Sequence, residues 1–325
     1  MRAAYIDDFG PAHSIRFGTL PDPRPGPHEV LVDVEASTAN HVDTFIRSGA
    51  VETPVEFPFV VGRDLVGRVA GTGAAVTGHE TGDRVWCNSM GHAGRQGAAA
   101  ERVAVPSDRL YRLPDGVDPR RAVTVLHPAA TAYLGLVVHG RLRAGETVVV
   151  VGAAGNVGAA MVVVAAAAGA RVVAVARARD AAYCRDLGAV AVVDRDGTDP
   201  EGRLARLCPE GVDVYADAAG ANDLATAVGL LARRGRVVLL AGLHTAPVLP
   251  VGPLYVGDGS VVGFAITGAS VGELAEAAAR VNELLAAGRL RPRATTVLPL
   301  SATGEAHHML ESGQLHGRRV VLTAR

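Results

Sequence analysis

The stretch Val148 to Gly158, VVVVGAAGNVG, continuing into MVVVAAAAGARVVAVAR, constrains the fold more than any other part of this chain. A buried parallel strand is written as an unbroken apolar run, and Thr147 to Val151 is one. The glycine-rich turn follows at once, then an Ala-rich helix over 159–168, Gly169, and a second apolar strand over 171–176. That order predicts a βαβ unit whose turn receives a dinucleotide pyrophosphate. Gly155 lets the backbone approach the phosphates, Gly158 lets helix and strand pack closely, and the N–H groups at the helix start offer partial positive charge. Gly152, Ala154, Gly155, Asn156, Val157 and Gly158 are therefore the expected cofactor turn, with Ala153 where such turns usually carry their first glycine.

Residues 147–170 carry no charged side chain and would pass a hydropathy window for a membrane span. Four polar or glycine positions in the middle, Gly152, Gly155, Asn156 and Gly158, with no aromatic belt, argue against one. The net charge of -1 and the lack of a basic tail make nucleic acid and anionic membranes unfavourable partners. Three widely spaced cysteines, Cys87, Cys184 and Cys208, fit a reducing compartment, and Asp7 and Asp8 interrupt any N-terminal secretory pattern, so a cytoplasmic location is expected. All 32 basic residues are arginine. Without lysine, P-loop phosphate binding, Schiff-base chemistry and a Tyr-x-x-x-Lys pair are excluded.

At 325 residues two domains are expected. Residues 1 to about 120 read as all-β, with strands near 29–35, 67–71 and 102–105 between Pro and Gly turns. From Ala122, apolar strands (190–193, 212–216, 235–241, 260–266) alternate with helices (180–187, 204–208, 224–233), which predicts an α/β doubly wound parallel sheet. A helix over 271–287 and a strand over 319–323 follow. The second strand of the nucleotide unit ends in Arg177 and Arg179, with no carboxylate before Asp180. Two guanidinium groups there suit the 2'-phosphate of NADPH better than the free ribose of NADH.

The chain resembles the medium-chain dehydrogenase/reductase superfamily, in its zinc-free quinone oxidoreductase (zeta-crystallin-like) branch, over nearly its whole length. The resemblance is carried by residues 40–49 (NHVDTFIRSG), Gly62-Arg63-Asp64 with Gly67, Gly82-Asp83-Arg84-Val85, Thr131-Ala132-Tyr133, the AAGNVG turn and Leu187-Gly188-Ala189. It implies a GroES-like β domain over 1–121, completed by 267–325, a Rossmann NADPH-binding domain over 122–266, a cleft for nicotinamide and substrate, and a homodimer pairing through the edge strand 260–266. It also implies Thr131 near the nicotinamide carboxamide and Gly242 with Leu243 beside the nicotinamide ribose. Relatives' lysine and tyrosine at the phosphate are replaced by Asp180 and Arg195; Arg177, Arg179, Arg195 and Arg318 are expected to rebuild the clamp.

Related alcohol dehydrogenases hold zinc with a Cys, a His and a third ligand. Asn40 stands at that Cys position and Arg63 at that His, so no metal is expected, although His41, His79, His92 and His127 are scattered nearby in sequence. Without zinc, only hydrogen-bond donors stabilise the developing oxyanion, which favours conjugated acceptors. The expected reaction is NADPH-dependent hydride transfer to a quinone, with reduction of an enone double bond as the alternative and a non-catalytic NADPH-binding sensor as a reading of another class. Asn40 is expected to hold the acceptor oxygen and Asp43 to orient its loop. Phe45 replaces a tyrosine that relatives use, so the proton must come from water, His41, His127 or Tyr133. Arg95, in the turn 94–101, is read as bracing its loop rather than touching substrate.

Overall fold

A computed structural model describes residues 1–315 and 317–324. The chain divides into two compact units, one made of Met1–His127 and Ser270–Arg325, the other of Pro128–Ala269. The divisions fall after His127 and Ala269, somewhat beyond the 121/122 and 266/267 boundaries read from sequence.

In the Pro128–Ala269 unit, six strands form one all-parallel sheet in the order Ala191–Asp194, Arg171–Ala176, Thr147–Val151, Val212–Asp217, Leu231–Leu239, Ser260–Gly263. Counted along the chain from Thr147 this is 3-2-1-4-5-6, the doubly wound order in which dinucleotides bind beyond the carboxyl ends of the strands. The central strands read as continuous Val because both their faces are covered: Val148, Val149, Val150, Val172, Val173, Val237 and Val238 are fully buried. The helix Asn156–Ala167 is apolar on every side for the same reason.

The other unit is a GroES-like β domain. Its larger sheet runs Ala294–Pro299, Arg318–Thr323, Glu29–Ser37, Leu65–Thr72, Arg84–Cys87, Tyr111–Arg112, with Arg102–Pro106 also paired to Glu29–Ser37. A smaller sheet joins Arg16–Thr19, Arg2–Ile6 and Phe59–Val60. The late strand Arg318–Thr323 pairs antiparallel with the early one through Leu322 opposite Ser37 and Thr323 opposite Ala36, so both ends of the chain build one core.

Several expectations need correcting. The first 120 residues are not all-β: His41–Ser48 is a helix, closed by Gly49 in the left-handed region at φ 77°. The helix expected over 224–233 stops at Gly229, and Leu231 already pairs with Val212 across a register shift in the strand Leu231–Leu239. The expected strand 260–266 ends at Gly263, and a short helix, Val251–Val256, precedes it.

Candidate functional sites in the two units

A glycine turn stands between the strand Thr147–Val151 and the helix Asn156–Ala167. Gly152 adopts φ 74°, Gly155 is the residue before the helix and is exposed, and Asn156, Val157 and Gly158 begin the helix. No side chain caps this helix start, so its first N–H groups remain available to an anion. Gly158 is obligatory on steric grounds: a Cβ there would lie 2.2 Å from the carbonyl oxygen of Gly152. Ala153 is fully buried behind the turn, and Ala154 is half-buried. The residues present thus fit a pyrophosphate, with a backbone cradle and no side chain in its way.

Arg177, Arg179 and Arg195 are all exposed in this unit. Arg177 Nε lies 3.7 Å from Asp196 and Arg195 Nε donates to it at 3.1 Å, so one carboxylate sits on both guanidinium groups. Asp194 accepts from the N–H groups of Ala178 and Asp196 and fixes the two turns against each other. Thr131 is buried, whereas Gly242, at φ 89°, and the exposed Leu243 follow the end of the strand Leu231–Leu239. Sequence reasoning missed Asp217 and Asn222, which organise that end of the sheet. Asp217 accepts from the N–H groups of Ala219, Gly220 and Asn222, and Asn222 Nδ2 donates to Ala241 O and Thr245 Oγ1. Arg318 belongs to the other unit, exposed at the start of its strand.

That other unit buries a charged cluster in which Asn40 and Asp43 are joined by Arg63 and Asp64 of the Gly62-Arg63-Asp64 motif and by Arg319, which the sequence did not mark. Asp43 Oδ2 accepts from the Asn40 N–H at 2.7 Å, as the third helical residue does in a capping box. The Asn40 side chain also reaches beyond the helix: its Nδ2 donates to Asp64 Oδ2 at 3.0 Å, and its Oδ1 accepts from Arg319 Nη2 at 2.7 Å. Arg319 also donates through Nε to Thr124 O. Asn40, Asp43, Arg63, Asp64 and Arg319 are each 5% exposed or less. Phe45 is half-buried on the same helix and has no polar atom to offer.

Burial, and after it the charge of Asp43, push the Asp64 carboxyl up to about 7. Burial likewise raises Asp43 to about 6, opposed by the Asn40 N–H and by Arg63. His127 Nδ1 lies 3.9 Å from Asp64 Oδ1, yet burial and the charges of Arg63 and Arg319 drive its imidazole down to about 3. It is neutral at pH 7 and has no acidic imidazolium proton to give. Arg63 is buried with neither Nε nor Nη1 bonded to any described residue. Arg319 could have been suspected from sequence, since it places a charge within an apolar strand context.

Among the described residues no group of three or more His, Cys, Asp or Glu side chains could hold a metal ion. No helix among them is long and apolar enough to cross a membrane.

Comparison with known proteins bears on both units. The family model described as "Alcohol dehydrogenase GroES-like domain" matches residues 26–115, and that described as "Zinc-binding dehydrogenase" matches residues 156–283. Human quinone oxidoreductase is 27% identical over 316 residues, covering 96% of this chain and 94% of its own. A solved NAD-dependent alcohol dehydrogenase superposes with TM-score 0.89 at 29% identity, over all of both chains. A mycobacterial protein solved in complex with NADPH superposes with TM-score 0.85 at 28% identity, covering 99% of this chain and all of its own.

Proposed function

The chain belongs to the medium-chain dehydrogenase/reductase superfamily of oxidoreductases, in its quinone oxidoreductase branch, and from that premise we propose that it reduces quinones with NADPH and without zinc. Bound NADPH supplies a hydride from its reduced nicotinamide. The Gly152–Gly158 turn offers backbone N–H groups to the pyrophosphate, and Arg177, Arg179 and Arg195 offer guanidinium groups to the 2'-phosphate. The mycobacterial neighbour's NADPH supports this preference; the NAD-dependent neighbour is the competing precedent.

Zinc does not fit the donor set. At the two positions where the family's zinc enzymes place Cys and His, this chain has an amide and a guanidinium, Asn40 and Arg63, neither of which is a zinc ligand. Arg319 pins the Asn40 oxygen inward, and Asp64 takes one amide hydrogen. The Asn40 amide and the guanidinium groups beside it are the donors this reading offers to an acceptor oxygen as negative charge develops on it.

The observation that carries the quinone reading is that the acidic groups beside that amide, Asp43 and Asp64, are themselves buried and held on Asn40, which leaves positions 45 and 127 to supply a proton donor. Phe45 has no proton to give, and His127 stays neutral to about 3. A hydroquinone anion is delocalised and can collect its protons from water, whereas an enolate needs a proton delivered to carbon. The buried and widely spaced Cys87, Cys184 and Cys208 support a cytoplasmic site of action. The edge strand Ser260–Gly263, with Val251, Tyr255 and Val256 exposed on the preceding helix, supports pairing as a homodimer.

Following NADPH absorbance against a benzoquinone, a naphthoquinone and a panel of enones tests the reading, with metal analysis of the purified protein alongside. Quinone turnover well above enone turnover, with no stoichiometric zinc, is expected. Enone turnover alone would make it a double-bond reductase, and binding without turnover would make it a sensor.

A further inference from the structure

Beside the Asn40 cluster, a loop carries positive charge that no ion pair among the described residues meets. Residues 89–97 are fastened to the strand Phe59–Val60 and its continuation to Arg63: Met90 N donates to Arg63 O, Ala98 N to Gly62 O, Gly97 N to Val60 O, and Val60 N to Gln96 Oε1. The packing is so close that a Cβ on Gly97 would meet Val60 O at 2.2 Å. On its far side Ala93 N donates to Thr53 Oγ1 and Gly94 N to Pro54 O, so the loop is a built structure rather than a loose connection.

Arg95 is anchored in this loop by its Nε donating to Ser89 O at 3.1 Å, which leaves its two terminal nitrogens free to point at something else. The bracing role expected of it therefore uses one of its three nitrogens. Arg63 lies beneath, 98% buried by its 2% exposure, with Nε and Nη1 bonded to no described residue. Arg109, at the end of the turn Ser107–Arg109, is half-buried. Among the described residues, no carboxylate comes within ion-pair distance of Arg63, Arg95 or Arg109. Asp43 and Asp64 act on Arg63 from beyond ion-pair distance and only partly offset its burial, while burial and then the charges of Arg63, Arg95 and Arg109 push His92 down to about 4, and burial followed by Arg109 and Arg63 lowers Arg95. Asp108 counts least among the charges that act on Arg95.

A buried guanidinium with open donors is costly unless an anion or water meets it. We propose that Arg63, Arg95 and Arg109 form a carboxylate-binding subsite adjoining Asn40, so that the acceptor of this enzyme is an acidic one bearing a carboxylate. The assignment of the acceptor to Asn40 rests on the quinone reductase reading; the anion site itself rests on the arginines. A carboxylate matches the planar fork of Arg63, whose neighbour Asp64 is bonded to Asn40, so the acid group and the reducible oxygen are taken up side by side.

The test has two arms. In turnover, a benzoquinone bearing a carboxyethyl group is compared with its methyl ester. The acid is expected to show kcat/KM at least about tenfold above the ester, with that ratio collapsing towards one in Arg95→Gln. In calorimetry without NADPH, benzoate is expected to bind the wild-type protein and benzamide not, with benzoate affinity falling about tenfold or more in Arg63→Gln and in Arg95→Gln. Arg95 is half-exposed, so its variant keeps the test available if the Arg63 variant does not fold. Equal binding of benzoate and benzamide, or benzoate binding unchanged by Arg95→Gln, overturns the anion site. Turnover of neither quinone, with benzoate binding intact, overturns the quinone reading and leaves the anion site standing.

Discussion

The two sites are built on opposite plans. The cofactor turn is local and nearly chargeless: Thr147 to Gly158 supplies strand, cradle and helix start from consecutive residues, and its selectivity rests on backbone N–H groups. The Asn40 cluster, proposed to hold the acceptor, is charged, buried and assembled from afar, with Arg319 meeting Asn40 across 279 positions of sequence. A backbone cradle tolerates change in most side chains as long as its close contacts persist. A buried charge cluster tolerates none that leaves a partner alone, because a desolvated ion without its counterpart is far more expensive than a lost hydrogen bond.

That contrast can be broken by substitution. Arg319→Met removes the donor to Asn40 and Thr124 and leaves Asp43 and Asp64 facing Arg63 alone, so the loss is expected to be about 3–5 kcal/mol, read by denaturant unfolding. A loss below about 1 kcal/mol would mean that the cluster is not electrostatically interdependent. Gly158→Ala forces a Cβ onto Gly152 O, costing about 1–3 kcal/mol in stability and about tenfold in NADPH affinity by fluorescence titration. Unchanged affinity would take the turn out of the cofactor site. Replacing both Arg177 and Arg179 by Ala should raise the NADPH KM about tenfold and the NADH KM little, since charge-assisted phosphate contacts are lost. Equal effects would remove the 2'-phosphate assignment.

The smallest effect is expected from pH. Asp43 and Asp64 have folded-state values raised to about 6 and about 7, above those of the unfolded chain. The native state therefore holds protons more tightly than the unfolded one, and their contribution is fully present at low pH and is lost as pH rises through about 6 to 7. Asp64→Asn should flatten that part of the melting profile. A wild-type profile that instead rises steadily across the same range would contradict it.

The contrast also explains what could be read from the sequence. The parallel sheet was legible because runs such as Val148 to Val151 are buried on both faces and say so in every residue. The helix His41–Ser48 was hidden because it follows β-like turns and buries Asp43, Thr44, Ile46 and Arg47 together, mixing polar with apolar on its inner face. The strand Leu231–Leu239 was taken for helix at its start because Leu230, Leu231 and Ala232 extend the apolar run of Leu224–Gly229, and only pairing with Val212 decides between them. Asn40, Asp43, Arg63 and Asp64 were recognisable from their motifs, but Arg319, which joins them, was not. Nothing near Arg319 in sequence indicates that its guanidinium serves Asn40 and Thr124. Likewise, nothing near Asp196 announces that it would stand between Arg177 and Arg195.

The unit containing the acceptor cluster is interrupted: its first part ends at His127 and resumes at Ser270, whereas the cofactor unit is one continuous stretch. During synthesis from the N-terminus, Asn40, Asp43, Arg63 and Asp64 emerge long before the strand Arg318–Thr323 that supplies their remaining cation. The nascent first segment must therefore wait, with a proton surplus or water in place of Arg319, while the whole cofactor unit is made and can fold. The buried cluster is thus completed by the last strand, and a chain stopped short of it would hold a formed parallel sheet and an Asn40 whose oxygen had never been met.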